Sequence, residues 1–79
     1  MGFAKTEEEW AERARAFLKA ELQKAEVTYT ELAKRLKKHG FKETEASITA
    51  KLKRGTFSAT FLLASLAALE RPGLSLEDV

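Results

Sequence analysis

Four times in this chain a Ser or Thr stands just ahead of a run with helical apolar spacing. Thr6 precedes "EEEW", Thr28 precedes "YTEL", Thr44 precedes "EASI" and Ser58 precedes "ATFLL". A side-chain oxygen at such a position accepts a backbone N–H that the first helical turn leaves unpaired, so these residues mark helix starts. Stop signals follow the second, third and fourth of them: Gly40, Gly55 and the pair Pro72-Gly73. Glycine takes the left-handed conformation that ends helices, and proline lacks the N–H needed to continue one. No stretch alternates apolar and polar residues with β-branched enrichment for long enough to read as a strand. Punctuated this way, the chain can form only short helices, and the reading is an all-α, compact four-helix domain.

The first helix starts at Thr6, with Glu9 three residues on as a capping-box partner and three glutamates at the positive end of the helix dipole. Its apolar stripe is Trp10, Ala14, Phe17/Leu18, Leu22 and Ala25, and it ends near Ala25. The second pairs Thr28 with Glu31 as a box and Val27 with Leu32 as a hydrophobic staple. Leu32, Ala33 and Leu36 face its core, and Gly40 ends it behind Lys37, Lys38 and His39. The third begins at Thr44 and runs to Lys53 or Arg54. Ile48 and Leu52 are its only large apolar residues, so it has a thin buried edge and a wide free face. The fourth runs from Ala59 to Leu69 behind a Ser58 cap, with Phe57 and Leu62 as a staple. Its apolar residues cover most of its circumference, which suits a central core helix or a dimer contact. The domain spans 1–79, ordered over about 6–70, with a loosely ordered tail at 71–79.

With 79 residues, the chain suits one domain and must use its apolar residues efficiently. An apolar share of 44% beside 33% charge excludes an extended disordered chain. There is no cysteine, so disulfides and thiolate metal sites are excluded. "TFLLASLAAL" is far shorter than a bilayer span, and no secretory pattern precedes "TEEEW". The expected setting is cytoplasmic, with no membrane partner. The net charge of +2 is modest, but its distribution is uneven. Between Lys34 and Arg54, eight Lys/Arg face two Glu, a segment charge of +6, which leaves −4 for the rest. That asymmetry suggests one positive face on a mildly acidic body.

Nothing in the sequence assembles a catalytic constellation. The one histidine, His39, lies in a basic helix end with no second ligand at helical spacing, so no metal is expected. The prominent Ser and Thr residues are accounted for as caps, and the four glycines are too scattered for a phosphate loop. No enzyme activity, cofactor or small-molecule substrate is expected. A binding role fits better. A helix held by one thin edge is free to enter the major groove of duplex DNA, which admits an α-helix. Lys34, Lys37, Lys38, Lys42, Lys51, Lys53 and Arg54 supply counter-charge for phosphates.

The order "TYTELAKRL…ASITAKLKRGTFSATFLLASLAAL" resembles the helix-turn-helix core of phage-repressor-like (Cro/C1-type) DNA-binding domains. In those, "ELAxxL" forms the first helix of the motif, a short polar helix follows for recognition, and a leucine-rich helix packs behind. The combination of "LKAEL", "VTYTELAKRL", "ETEASI" and "KRGTFSATFLL" is also similar to a family of small, uncharacterised bacterial proteins with this presumed fold. The resemblance covers about residues 10–69 and implies a lambda-repressor-like fold. It also implies a function: double-stranded DNA binding by a transcription regulator of bacterial or phage origin, with the third helix in the major groove. It places Tyr29 on a phosphate. Glu45, Ala46, Ser47 and Lys51 take the groove-facing side, and Arg54, Thr56 and Ser58 approach the opposite backbone. Lys42 adds a contact from the turn. A module this small is expected to act as a homodimer, through the fourth helix or the Trp10 helix.

Two departures stand out. "KKHGFKE" between Leu36 and Thr44 is longer than the usual turn of about four residues, which lets the second helix lengthen through Lys38 and Phe41 fill the core. The Ile48–Leu52 spacing differs by one from the common pattern, which would turn Thr49 inward in place of Ile48. A protein-interaction module on the same scaffold, without DNA binding, is the alternative function.

Overall fold

A computed structural model describes residues 2–79. It contains four α-helices: α1 (Glu7–Lys24), α2 (Tyr29–Lys37), α3 (Glu45–Arg54) and α4 (Ala59–Ala68). A single 3₁₀ turn, Leu76–Asp78, follows. Among the described residues there is no strand. The protein is all-α.

Each helix starts where its cap predicts. The hydroxyls of Thr6, Thr28, Thr44 and Ser58 accept from the backbone N–H three residues on, each at 3.1 Å. The capping boxes fall elsewhere. Glu31 turns along α2 to accept from Arg35 Nε at 3.1 Å, and Glu9 accepts from the N–H of Lys5. Among the α-helices the complete box is Thr44–Ser47, in which the Ser47 hydroxyl also accepts from the Thr44 N–H at 2.9 Å.

The helix ends are equally local. After α2, the N–H of Phe41 donates to Leu36 O and that of Gly40 to Lys37 O, with Gly40 at φ +86°. This double closure lets the chain reverse while Phe41 packs against the core, as the long turn predicted. The same pattern ends α1 at Glu26 (φ +56°) and α4 at Glu70 (φ +58°), where the sequence carries no glycine.

The core is built from Leu18, Leu22, Leu32, Leu36, Ile48, Leu52 and Phe61, each at most 2% exposed. Every such side chain contributes about 1.5–3 kcal/mol by leaving water. α3 packs on both α1 and α2, and α4 packs on α2. The radius of gyration, 12.2 Å, is close to the value of about 11.6 Å expected for a folded chain of this length.

Several expected core positions lie outside. Trp10 and Ala25 are exposed, because the stripe of α1 that meets the core is limited to Phe17, Leu18, Glu21 and Leu22. Trp10 instead rests against Phe3, their rings 6.2 Å apart, with Arg13 over its face. Leu63 of α4 is 64% exposed, so that helix is not buried all round. Ile48 is fully buried and Thr49 exposed, the reverse of the inward turn expected for Thr49. Arg71, at the start of the 71–79 segment, contacts α1 and the segment itself. Its guanidinium reaches Glu21 Oε1 at 2.9 Å, Asp78 Oδ2 at 2.8 Å and Gly73 O at 2.8 Å, and lies over the Phe17 ring.

Candidate nucleic-acid interface

α3 is held at both ends and along one edge, which defines its free face. At the start, Thr44 and Ser47 close the box, and Thr30 of α2 donates its hydroxyl to Glu45 Oε2 at 2.6 Å. Along the edge, Ile48 and Leu52 enter the core. At the end, Gly55 takes φ +70° and donates its N–H to Lys51 O, while Arg15 of α1 donates to Lys53 O at 2.8 Å. Gly55 also lies against the α1 backbone. A Cβ built there would come within 2.4 Å of Ala11 O.

A second constraint is a compact ionic cluster. Lys51 Nζ donates to both oxygens of Glu43, at 2.8 and 2.6 Å, and lies 5.2 Å from the centre of the Phe61 ring. The Ser47 hydroxyl donates to Glu43 Oε1 at 2.6 Å. The Glu43 side chain is only 7% exposed. Burial pushes its carboxyl upward, but the hydrogen bonds from Lys51 and Ser47 and the charge of Lys51 outweigh that and hold its pKa below the ordinary value. The cluster joins the turn to α3 and to α4.

This cluster reassigns two of the expected groove-facing residues. Ser47 and Lys51 are drawn inward around Glu43, so their polar atoms are already satisfied. Glu45 is exposed but engaged by Thr30, and Ala46 faces outward. Tyr29 is half-buried against the core at the start of α2. Lys42 is exposed in the turn, where it flanks Phe41 together with Lys37. Lys53 is exposed on α3. Arg54 and Thr56 are exposed at the other end, bordering Glu7, Glu8 and Glu12 of α1. Ser58 is the α4 cap, and its hydroxyl also meets that of Thr60 at 3.0 Å.

The exposed face of α3 contains Thr49, which the sequence reading had turned inward, and Ala50, which it passed over. With Ala46 and Lys53 they recur at helical spacing i, i+3, i+4, i+7. The signal was available: with Ile48 and Leu52 buried, Ala46, Ala50 and Lys53 fall on the far side of the helix and Thr49 on its flank.

Of the eight cations between Lys34 and Arg54, two are structural. Lys51 binds Glu43, and Arg35 binds Glu31 and caps α4 through Ala68 O at 3.1 Å. The other six, Lys34, Lys37, Lys38, Lys42, Lys53 and Arg54, are exposed and have no acidic partner within salt-bridge distance among the described residues. Thr30, Lys34 and Lys37 share one stripe of α2, and the Thr30–Glu45 bond sets that stripe beside the start of α3.

A domain family described as a domain of unknown function (DUF6471) matches residues 10–74. The chain belongs to the DUF6471 family. No curated protein and no solved structure matches it. The matched region contains all four buried helix faces, the Glu43 cluster and the outward stripe of α3, and it leaves out the Phe3 end of the Phe3–Trp10 pair. Among the described residues, no group of three or more His, Asp or Glu is gathered to hold a metal. No helix among them is long and apolar enough to cross a membrane.

Proposed function

We propose that this domain binds double-stranded DNA as a lambda-repressor-like helix-turn-helix module, with α3 in the major groove, and serves in transcription regulation. One observation carries the reading. Six exposed cations with no acidic partner within salt-bridge distance among the described residues lie on α2, α3 and the turn joining them, beside the short exposed side chains of Ala46, Thr49 and Ala50 on α3. Phosphate contacts from these cations supply most of the affinity, and α3 supplies the sequence preference. Lys51, neutralised by Glu43, acts through the fold by bracing α3 and makes no phosphate contact.

The test is fluorescence anisotropy with a random-sequence duplex across a salt series. Log affinity is expected to fall with log salt at about −0.9 per phosphate neutralised, a slope of about −3.6 to −5.4 for four to six contacts. Charge reversal at Lys37, Lys42 and Lys53 should flatten the slope without unfolding the protein. An absence of binding at about 50 mM salt, where phosphate contacts are strongest, sinks the DNA reading.

The alternative, a protein-interaction module on the same scaffold, is favoured by the exposure of Leu63 on α4. It predicts self-association that Leu63→Glu abolishes, in a protein that binds no duplex at low salt.

A further inference from the structure

The outward stripe of α3 has an unusual chemistry for a reading helix. Ala46, Thr49 and Ala50 are exposed and end in methyl groups. Thr49 adds a hydroxyl, but that group donates to Glu45 O one turn back, at 2.8 Å. The amides that read adenine by paired hydrogen bonds are missing, since α3 has no Asn or Gln, and the cations that could read guanine, Lys53 and Arg54, lie only in its last turn, Lys51 being held by Glu43. Glu45, the one carboxylate on α3 that could accept from a cytosine amino group, is engaged by the Thr30 hydroxyl at 2.6 Å. Short side chains also let the helix backbone come close to the groove floor. In the major groove, thymine alone among the four bases displays a methyl group.

From this we infer that the domain recognises thymine methyl groups, through an apolar contact surface made by Ala46, Thr49 and Ala50. The inference rests on the DNA-binding reading and specifies what α3 reads. Lys53, one turn beyond Thr49 on the same stripe, anchors the end of this surface to a phosphate. The preference is for the methyl and not for the A·T pair. A 5-methylcytosine therefore satisfies it where cytosine does not, and deoxyuridine fails it where thymidine succeeds.

The experiment compares four duplexes of equal length at low salt by competition anisotropy. These are alternating A·T, the same duplex with deoxyuridine for thymidine, alternating G·C, and the same duplex with 5-methylcytosine. Removing each contacted methyl is expected to weaken binding about fourfold, the worth of one buried methyl-sized group. Methylating cytosine should strengthen binding by a similar factor. Thr49→Ser keeps the hydroxyl and removes the methyl, so it should shrink the thymine-to-uracil ratio. Thr49→Val keeps methyls and loses the hydroxyl, so it should preserve that ratio. Thr49 is exposed, and helical circular dichroism checks that both variants fold. If the duplexes bind but thymine and uracil are equal, the methyl inference falls and the DNA reading stands. If none of the four binds, the DNA reading itself falls. A full thymine-to-uracil ratio in a folded Thr49→Ser protein overturns the assignment to Thr49.

Discussion

Replacing Gly55 by alanine tests the closest approach in the fold. Two costs combine there. Gly55 holds φ +70°, a conformation that costs a residue with a Cβ about 1–2 kcal/mol. The added Cβ would also lie 2.4 Å from Ala11 O and 2.9 Å from Ala11 C, where real contacts essentially never fall below 3.0 Å. The shortfall of 0.6 Å (3.0 − 2.4) is against backbone, which cannot rotate aside as a side chain would. α1 and α3 must separate, at a cost like that of overpacking, about 1–3 kcal/mol. Alanine also narrows the unfolded ensemble, which returns about 0.4–1 kcal/mol. The net loss is about 2–4 kcal/mol, a large part of the roughly 4–12 kcal/mol expected for a domain of this length.

Gly40→Ala is the matched control. Gly40 has φ +86°, but no atom lies within 4 Å of the position its Cβ would take, so only the conformational cost applies. Urea unfolding followed by circular dichroism should show Gly55→Ala losing at least about 1 kcal/mol more than Gly40→Ala. Thermal melts should show a midpoint about 10–25 °C below the parent for Gly55→Ala. Equal losses for the two variants would refute the claim that the Ala11 approach limits this site.

Ser65 is fully buried in α4, and its hydroxyl has no partner, so Ser65→Ala should raise stability by about 1 kcal/mol; a loss in urea unfolding would show that the hydroxyl is satisfied after all. Glu43 gives a pH dependence with a definite sign. Its pKa in the folded state is below the unfolded value of 4.5, so its stabilisation is present above that value and is lost as pH falls through the folded one. Glu43→Gln should therefore be less stable than the parent at pH 7 by about 1–3 kcal/mol, with the gap narrowing below about pH 4.5. A gap that stays constant from pH 7 to pH 3 would contradict the role assigned to the Glu43–Lys51 pair.

The sequence by itself determined the number, type and starts of the helices. Thr6, Thr28, Thr44 and Ser58 each act on an N–H three residues away, and Gly40 acts on its own turn. Interactions of such short range are written in the order of residues and hold in any tertiary setting. The thin apolar edge of α3 was legible for the same reason, since Ile48 and Leu52 are one turn apart.

Which charges are paired and which surfaces stay exposed was decided only by the tertiary structure. Lys51 looks like its neighbour Lys53 in sequence. Only the folding of the turn brings Glu43 to one of them and leaves the other exposed. Arg71 meets Glu21 fifty positions away, a pairing that no local spacing announces. Gly55 reads as a simple helix stop until α1 is seen to pass against it. Trp10 fits the apolar spacing of α1, yet that helix extends past the end of the core and leaves it outside. Electrostatic pairing and close backbone approach depend on which distant segments become neighbours. Spacing along the chain cannot encode that, so the free cations and the methyl face of α3 emerge only once the paired and buried residues are removed from the count.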